Sequence, residues 1–206
     1  MRKGYTASPS SLLCQSQGTV MATLFFFAAG LSSGVFVELF MGQDSTNQIA
    51  DYLTSNLLSG SVSGASLPSV FLRSAANNFG LLLIILLAGI TVIGFPAALL
   101  AVAYKGMALG FSSALLIDSM GGKGAVVILL SMVPQNLFLM PALLVASVAA
   151  VNLSAQVFSG RQKGIKKSLE FSAGPYLSIF VVLAAALLAG CLIEAFIAPA
   201  LLQLAG

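Results

Sequence analysis

The chain has 206 residues, 58% of them hydrophobic and only 7% charged, with a formal net charge of +3 and no histidine. An average soluble domain carries about 25% charged residues, so this composition excludes an ordinary soluble fold. The missing histidine excludes His-based metal centres and triads, and without a basic stripe carrying interleaved aromatics the small positive charge does not make a nucleic-acid surface.

Three stretches, 79–104, 125–160 and 171–193, contain no Asp, Glu, Lys or Arg. A hydrocarbon core about 30 Å thick needs roughly 20 apolar residues per helix. The pattern predicts an all-α, polytopic integral membrane protein of about five transmembrane helices, with 1–206 forming one membrane domain.

Residues 1–17 are polar and predict a cytoplasmic tail. The first helix is expected over about 19–41, as an uncleaved span rather than a signal peptide, because its apolar run starts late and is long. Residues 42–69 predict an external segment. Within it Ile49, Tyr52, Leu53 and Leu57 recur at helical spacing; the segment is either a helix lying in the membrane interface or a plain flexible loop.

The region 70–104 is too long for one untilted span. Gly94, Phe95 and Pro96 interrupt it, and Pro96 has no amide hydrogen for a helix ladder. Two readings stand: one kinked helix, or two spans of about 70–93 and 97–117 meeting at a tight turn. The glycines of 118–124 predict a second turn. The region 125–158 is also overlong, and Pro134 and Pro141 break it. A basic cytoplasmic loop is expected at 159–173, and a last span at 174–198, entered through Gly174 and Pro175.

Basic residues set the expected orientation. Arg2, Lys3, Lys105, Arg161, Lys163, Lys166 and Lys167 fall on one side, Arg73 and Lys123 on the other. Basic loops stay in the cytoplasm, so the amino terminus is expected inside and the carboxyl terminus outside. Cys14 and Cys191 are expected to be reduced thiols.

Several polar residues lie at or near predicted membrane depth. Pro134 is followed by two amides, Gln135 and Asn136, which either line a cavity beside a broken helix or bond a neighbouring helix. Asn77 and Asn78 either cap the start of a span or join a polar cluster. Lys105 either snorkels to the cytoplasmic interface or needs a buried partner. Gly106 and Gly110 form a small-xxx-small face. Glu38, Arg73 and Glu194 are expected near the outer interface, as one partner-docking rim or as separate charges. No catalytic constellation, Walker motif or dinucleotide fingerprint is present, so no enzyme activity, cofactor or metal is expected.

An ordered set of strings carries a resemblance: Val92-Ile93-Gly94-Phe95-Pro96, Lys105-Gly106 with Gly110-Phe111, Met132-Val133-Pro134-Gln135-Asn136 with Pro141, and Glu194-Ala195-Phe196 with Pro199-Ala200. Over about residues 35–204 the chain resembles the stage II sporulation protein M family. The resemblance implies a multi-pass protein of the bacterial cytoplasmic membrane, at the sporulation septum of endospore formers and required for engulfment. It implies a scaffold that localises two peptidoglycan hydrolases, stage II sporulation proteins D (a lytic transglycosylase) and P (an amidase and endopeptidase). The lipid bilayer and further copies of the chain are the other expected partners; nucleic acid is not. The rival reading is a channel or transporter subunit that uses the broken helices around Pro96 and Pro134.

Overall fold

A computed structural model describes residues 17–41, 67–91, 94–159 and 165–197. Its elements are all helical: α1 (Gln17–Phe40), α2 (Leu67–Ile90), α3 (Phe95–Met120), α4 (Gly122–Val127), α5 (Val133–Ser159) and α6 (Ile165–Leu192). A π-helical turn at Ile128–Met132 joins α4 to α5, and a second at Ile193–Ile197 closes α6. Among the described residues five helical runs are long and apolar enough to cross a membrane: Gln17–Phe40, Phe71–Ile90, Phe95–Met120, Gly122–Phe158 and Gly174–Phe196.

These helices are apolar all round. Met21, Phe25, Phe40, Leu100, Val181 and Val182 are all well exposed on the outside of the bundle. Water would penalise such a belt; lipid accepts it, and a helix meets the lipid demand that every backbone group bond internally.

Successive spans alternate in direction. One end of the bundle, the near end, gathers the start of α1, the α2–α3 turn and the last turns of α5. There Thr19 Oγ1 donates to Asn152 Oδ1 at 2.9 Å, and Ser154 Oγ donates to the Thr91 carbonyl at 3.0 Å. The other, far end gathers the start of α2, the α3–α4 turn and the end of α6. α5 runs through the middle and packs against α1, α2, α3 and α6. Its inward residues Leu143, Ala146 and Leu153 build the core with Ile85, Val102, Tyr176 and Leu187. Tyr176 keeps its hydroxyl satisfied there by donating to the Leu86 carbonyl at 3.0 Å.

α1 is held chiefly by α3. The two run parallel: Gly106 faces Phe27 and Gly110 faces Leu31, while Gly30 faces Ala103 and Gly34 faces Met107. A Cβ on any of these glycines would overlap a backbone carbonyl of the opposite helix. The glycines therefore set how closely the helices approach, and dispersion across that contact replaces the hydrophobic drive that lipid removes.

The region after 70 resolves into two spans, α2 and α3. Pro96 occupies the first turn of α3, where its missing N–H costs nothing. At 118–124 only Gly121 departs from helix, with φ +57°, while Gly122 and Gly124 already belong to α4. The break expected at Pro134 takes the form of the π-turn, so the chain stays helical from Gly122 to Ser159 and Pro141 is accommodated inside α5. The expected loop at 159–173 is shorter than the charge pattern suggests. α6 already begins at Ile165 and Pro175 lies within it, so Gly174 and Pro175 do not open the helix. A run of Lys and Ser is no barrier to helix, since lysine is among the good helix formers. The expected interfacial helix within 42–69 falls almost wholly outside the described residues.

Candidate functional site

The far half of the bundle buries polar side chains that an apolar core does not require. On α2, Ser74 and Asn78 lie one turn apart and both face inward. The Asn78 amide donates to the Ser74 carbonyl at 3.0 Å. Its Oδ1 accepts from the Lys105 ammonium of α3 at 2.8 Å. Ser74 Oγ in turn donates to Glu194 Oε2 on the closing π-turn and lies 3.5 Å from Cys191 Sγ. Asn78 Nδ2 also lies 3.9 Å from that sulfur. Three helices are thus tied by a chain running Lys105, Asn78, Ser74, Glu194.

Lys105 stands ten residues into α3, about 15 Å from the start of that helix at 1.5 Å per residue. It therefore does not reach the interface, and the expectation that it snorkels there is corrected. The ammonium donates to the Asn78 carbonyl instead, as a half-buried charge does when a polar partner stands within reach. The amide orientation of Asn78 follows from its neighbours: a cation must face oxygen, and a carbonyl must face nitrogen. Ten and eleven residues into α2, Asn77 and Asn78 cap no helix start. Asn77 is exposed one residue round from Asn78 and takes no part in the chain.

Glu38, Arg73 and Glu194 do not make one rim. Glu38 is buried at the far end of α1, four residues after Gly34 on the stripe that faces α3. Arg73 is exposed, because its neighbour Ser74 holds the inward position. Glu194 joins the buried chain instead.

On α5, Asn136 Nδ2 donates to the Met132 carbonyl at 2.8 Å, one turn back, and so caps a backbone group near the proline. Its Oδ1, and Oε1 of Gln135, are buried without a hydrogen-bond partner. Across from them Gly190 lets α6 approach; a Cβ there would press on Leu139 and lie 3.4 Å from the Gln135 carbonyl oxygen.

The charges at this depth have few chemical uses. Among the described residues no three His, Cys, Asp or Glu side chains come close enough to hold a metal ion. The chain from Lys105 to Glu194 is a helix-to-helix tether carrying one positive and one negative group. Sequence reading had singled out Asn78, Lys105 and Glu194 separately; it missed Ser74 and Cys191, which bridge them. A signal existed in the four-residue spacing of Ser74 and Asn78, one turn of one helix face.

Residues 22–199 match the family model described as SpoIIM, stage II sporulation protein M. No curated protein and no solved structure matches the chain. The matched segment takes in α3, α4 and α5 whole, with most of α1 and every member of the buried polar chain, and the chain therefore belongs to the stage II sporulation protein M family.

Proposed function

We propose that this sporulation-related membrane protein is a scaffold of the engulfment machinery, which holds peptidoglycan-degrading enzymes at the septal membrane. The observation that carries this reading is family membership across residues 22–199. The packing supports it: Lys105, Asn78, Ser74 and Glu194 join three helices by hydrogen bonds, as a rigid platform requires. In this reading the near end faces the cytoplasm and the far end faces the cell wall. Removing Lys105 from the count leaves Arg2, Lys3, Arg161, Lys163, Lys166 and Lys167 on the side expected inside from the sequence, against Arg73 and Lys123 on the other, and the bias keeps its sign.

Affinity purification of the tagged chain from membranes of sporulating cells tests the reading. A lytic transglycosylase and an amidase are expected to co-purify, and the purified chain alone is expected to release no muropeptides from cell wall. Absence of both enzymes from the purified complex, or muropeptide release by the chain alone, refutes it. A channel or transporter subunit is the second reading, favoured by the unpartnered acceptors of Gln135 and Asn136 at depth. Solute flux in liposomes that carry only this chain would decide for it.

A further inference from the structure

The outward face of α2 carries an amide that nothing within the chain satisfies. Asn77 stands six residues inside the span Phe71–Ile90, about 9 Å from its far edge and about 20 Å from its near edge at 1.5 Å per residue. Its side chain is exposed, and among the described residues no group bonds it. In water an exposed amide is ordinary. In hydrocarbon its N–H groups and its carbonyl lose every partner, and an unpaired amide in such a medium is costly. Asn78 escapes this by turning inward to Lys105 and Ser74.

A second feature of the same face is independent of the first. Gly80 lies one turn on from Asn77 and from Ala76, which is also exposed. Gly30, Gly34, Gly89 and Gly190 each admit a neighbouring helix of this bundle, whereas a Cβ on Gly80 would meet nothing. Glycine in a helix interior is destabilising relative to alanine, and no contact within the chain offsets that at Gly80. With Ala76 it makes a surface on which the backbone of another helix can lie close, and an amide in such a surface bonds across the contact.

The complement of this face is the face itself. Every copy of the chain inserts with the same topology, so two copies meet about a two-fold axis along the membrane normal and their α2 helices run parallel. Identical residues then stand at identical depth. A carboxamide both donates and accepts, so the Asn77 amide of each copy can bond its counterpart at the depth where each lacks a partner. We propose that the chain forms a two-fold dimer through α2, with Ala76 and Gly80 at the helix crossing and the paired Asn77 amides sealed from lipid between them. Arg73, exposed one turn nearer the far end, lies two residues inside the edge of the span. Its side chain reaches the headgroups there, so the two like charges stay hydrated and apart. Ile84, exposed one turn beyond Gly80 on the other side, adds apolar contact. The pairing is the same whichever end of the bundle faces the cytoplasm. It stands whether or not the chain recruits wall enzymes, and its test uses neither of them.

The test uses the purified full chain in phosphatidylcholine liposomes. Chains with Cys14→Ser and Cys191→Ala carry a donor or an acceptor dye on Lys123→Cys, and energy transfer is followed as added lipid dilutes the protein. Transfer is expected to fall along the curve of a dimer. Asn77→Leu is expected to weaken association about tenfold, and Gly80→Leu to abolish it. Both variants are expected to keep the Tm of the parent chain at high dilution in micelles, because neither position touches the rest of the chain. In native membranes Ala76→Cys is expected to give a disulfide-linked pair under mild oxidation, since such a bond needs Cα atoms within about 7 Å. Val181→Cys, exposed on α6, is expected to give none. Transfer no greater than that of randomly placed chains overturns the proposal, as does association untouched by both substitutions. So does a fall in Tm with Asn77→Leu, which would place the amide in the chain's own packing. Equal cross-linking at both cysteines, or cross-linking of Ala76→Cys only to a different polypeptide, overturns it as well.

Discussion

Lys105 and Asn78 form a pair whose two halves are unequal in what their loss leaves behind. Asn78→Leu leaves a half-buried ammonium at mid-span without its acceptor; removing the partner of a fully buried charge costs about 3–5 kcal/mol, and of this half-buried one somewhat less. Lys105→Met leaves a neutral carbonyl unpaired, which costs about 1–3 kcal/mol. Asn78→Leu is therefore expected to be the more damaging change. Adding Lys105→Met to it is expected to restore stability, because the stranded charge is gone. A double-mutant cycle on unfolding in detergent should show coupling of about 0.5–3 kcal/mol; strictly additive effects would mean the two side chains do not meet.

At the scale of the helix, α1 depends on the glycine contact with α3. A Cβ on Gly34 would overlap the Met107 carbonyl oxygen and crowd the Phe111 amide. These are backbone atoms that cannot rotate aside, and forcing extra volume into such a contact costs about 1–3 kcal/mol or more. Gly34→Leu is expected to part α1 from the bundle. Thr19 and Asn152, bonded at 2.9 Å, supply the reporter. Cysteines in place of both should cross-link in the otherwise native chain and should fail to do so with Gly34→Leu. Undiminished cross-linking would show that contacts with α5 suffice to seat α1. The π-turn at Ile128–Met132 is the complementary device: it widens the helix just ahead of Pro134, so that the proline bends the path without ending it.

For the molecule as a whole, the proposed orientation makes a labelling prediction. Single cysteines replace Ser8, Lys123, Gln162 or Gln203 in a chain with Cys14→Ser and Cys191→Ala. An impermeant thiol reagent applied to intact cells should modify positions 123 and 203, and should reach 8 and 162 only after lysis. Modification at 162 in intact cells would invert the topology, and with it the assignment of the far end to the wall side.

The sequence by itself determined that the chain lives in lipid, that about five helices cross, and that Gly106 and Gly110 are a packing face; whether the region after 70 holds one kinked span or two was left to the structure. Length, absence of charge, and proline or glycine punctuation are local properties, and they survive without knowing any neighbour. Only the tertiary structure decided which polar groups meet. Asn78, Lys105 and Glu194 stand far apart in the chain and were legible only as separate oddities; for Glu38, Arg73 and Glu194 the sequence left one rim and separate charges both open, and the structure keeps them separate. The reason is physical. In water an amphipathic stripe reveals which face of a helix turns inward. These helices are as apolar on the lipid side as on the core side, so periodicity carries little record of their rotation. Rotation was set by contacts no single helix encodes: Gly30 and Gly34 against α3, Gly190 against α5, and Ser74 reaching Glu194 across the far end.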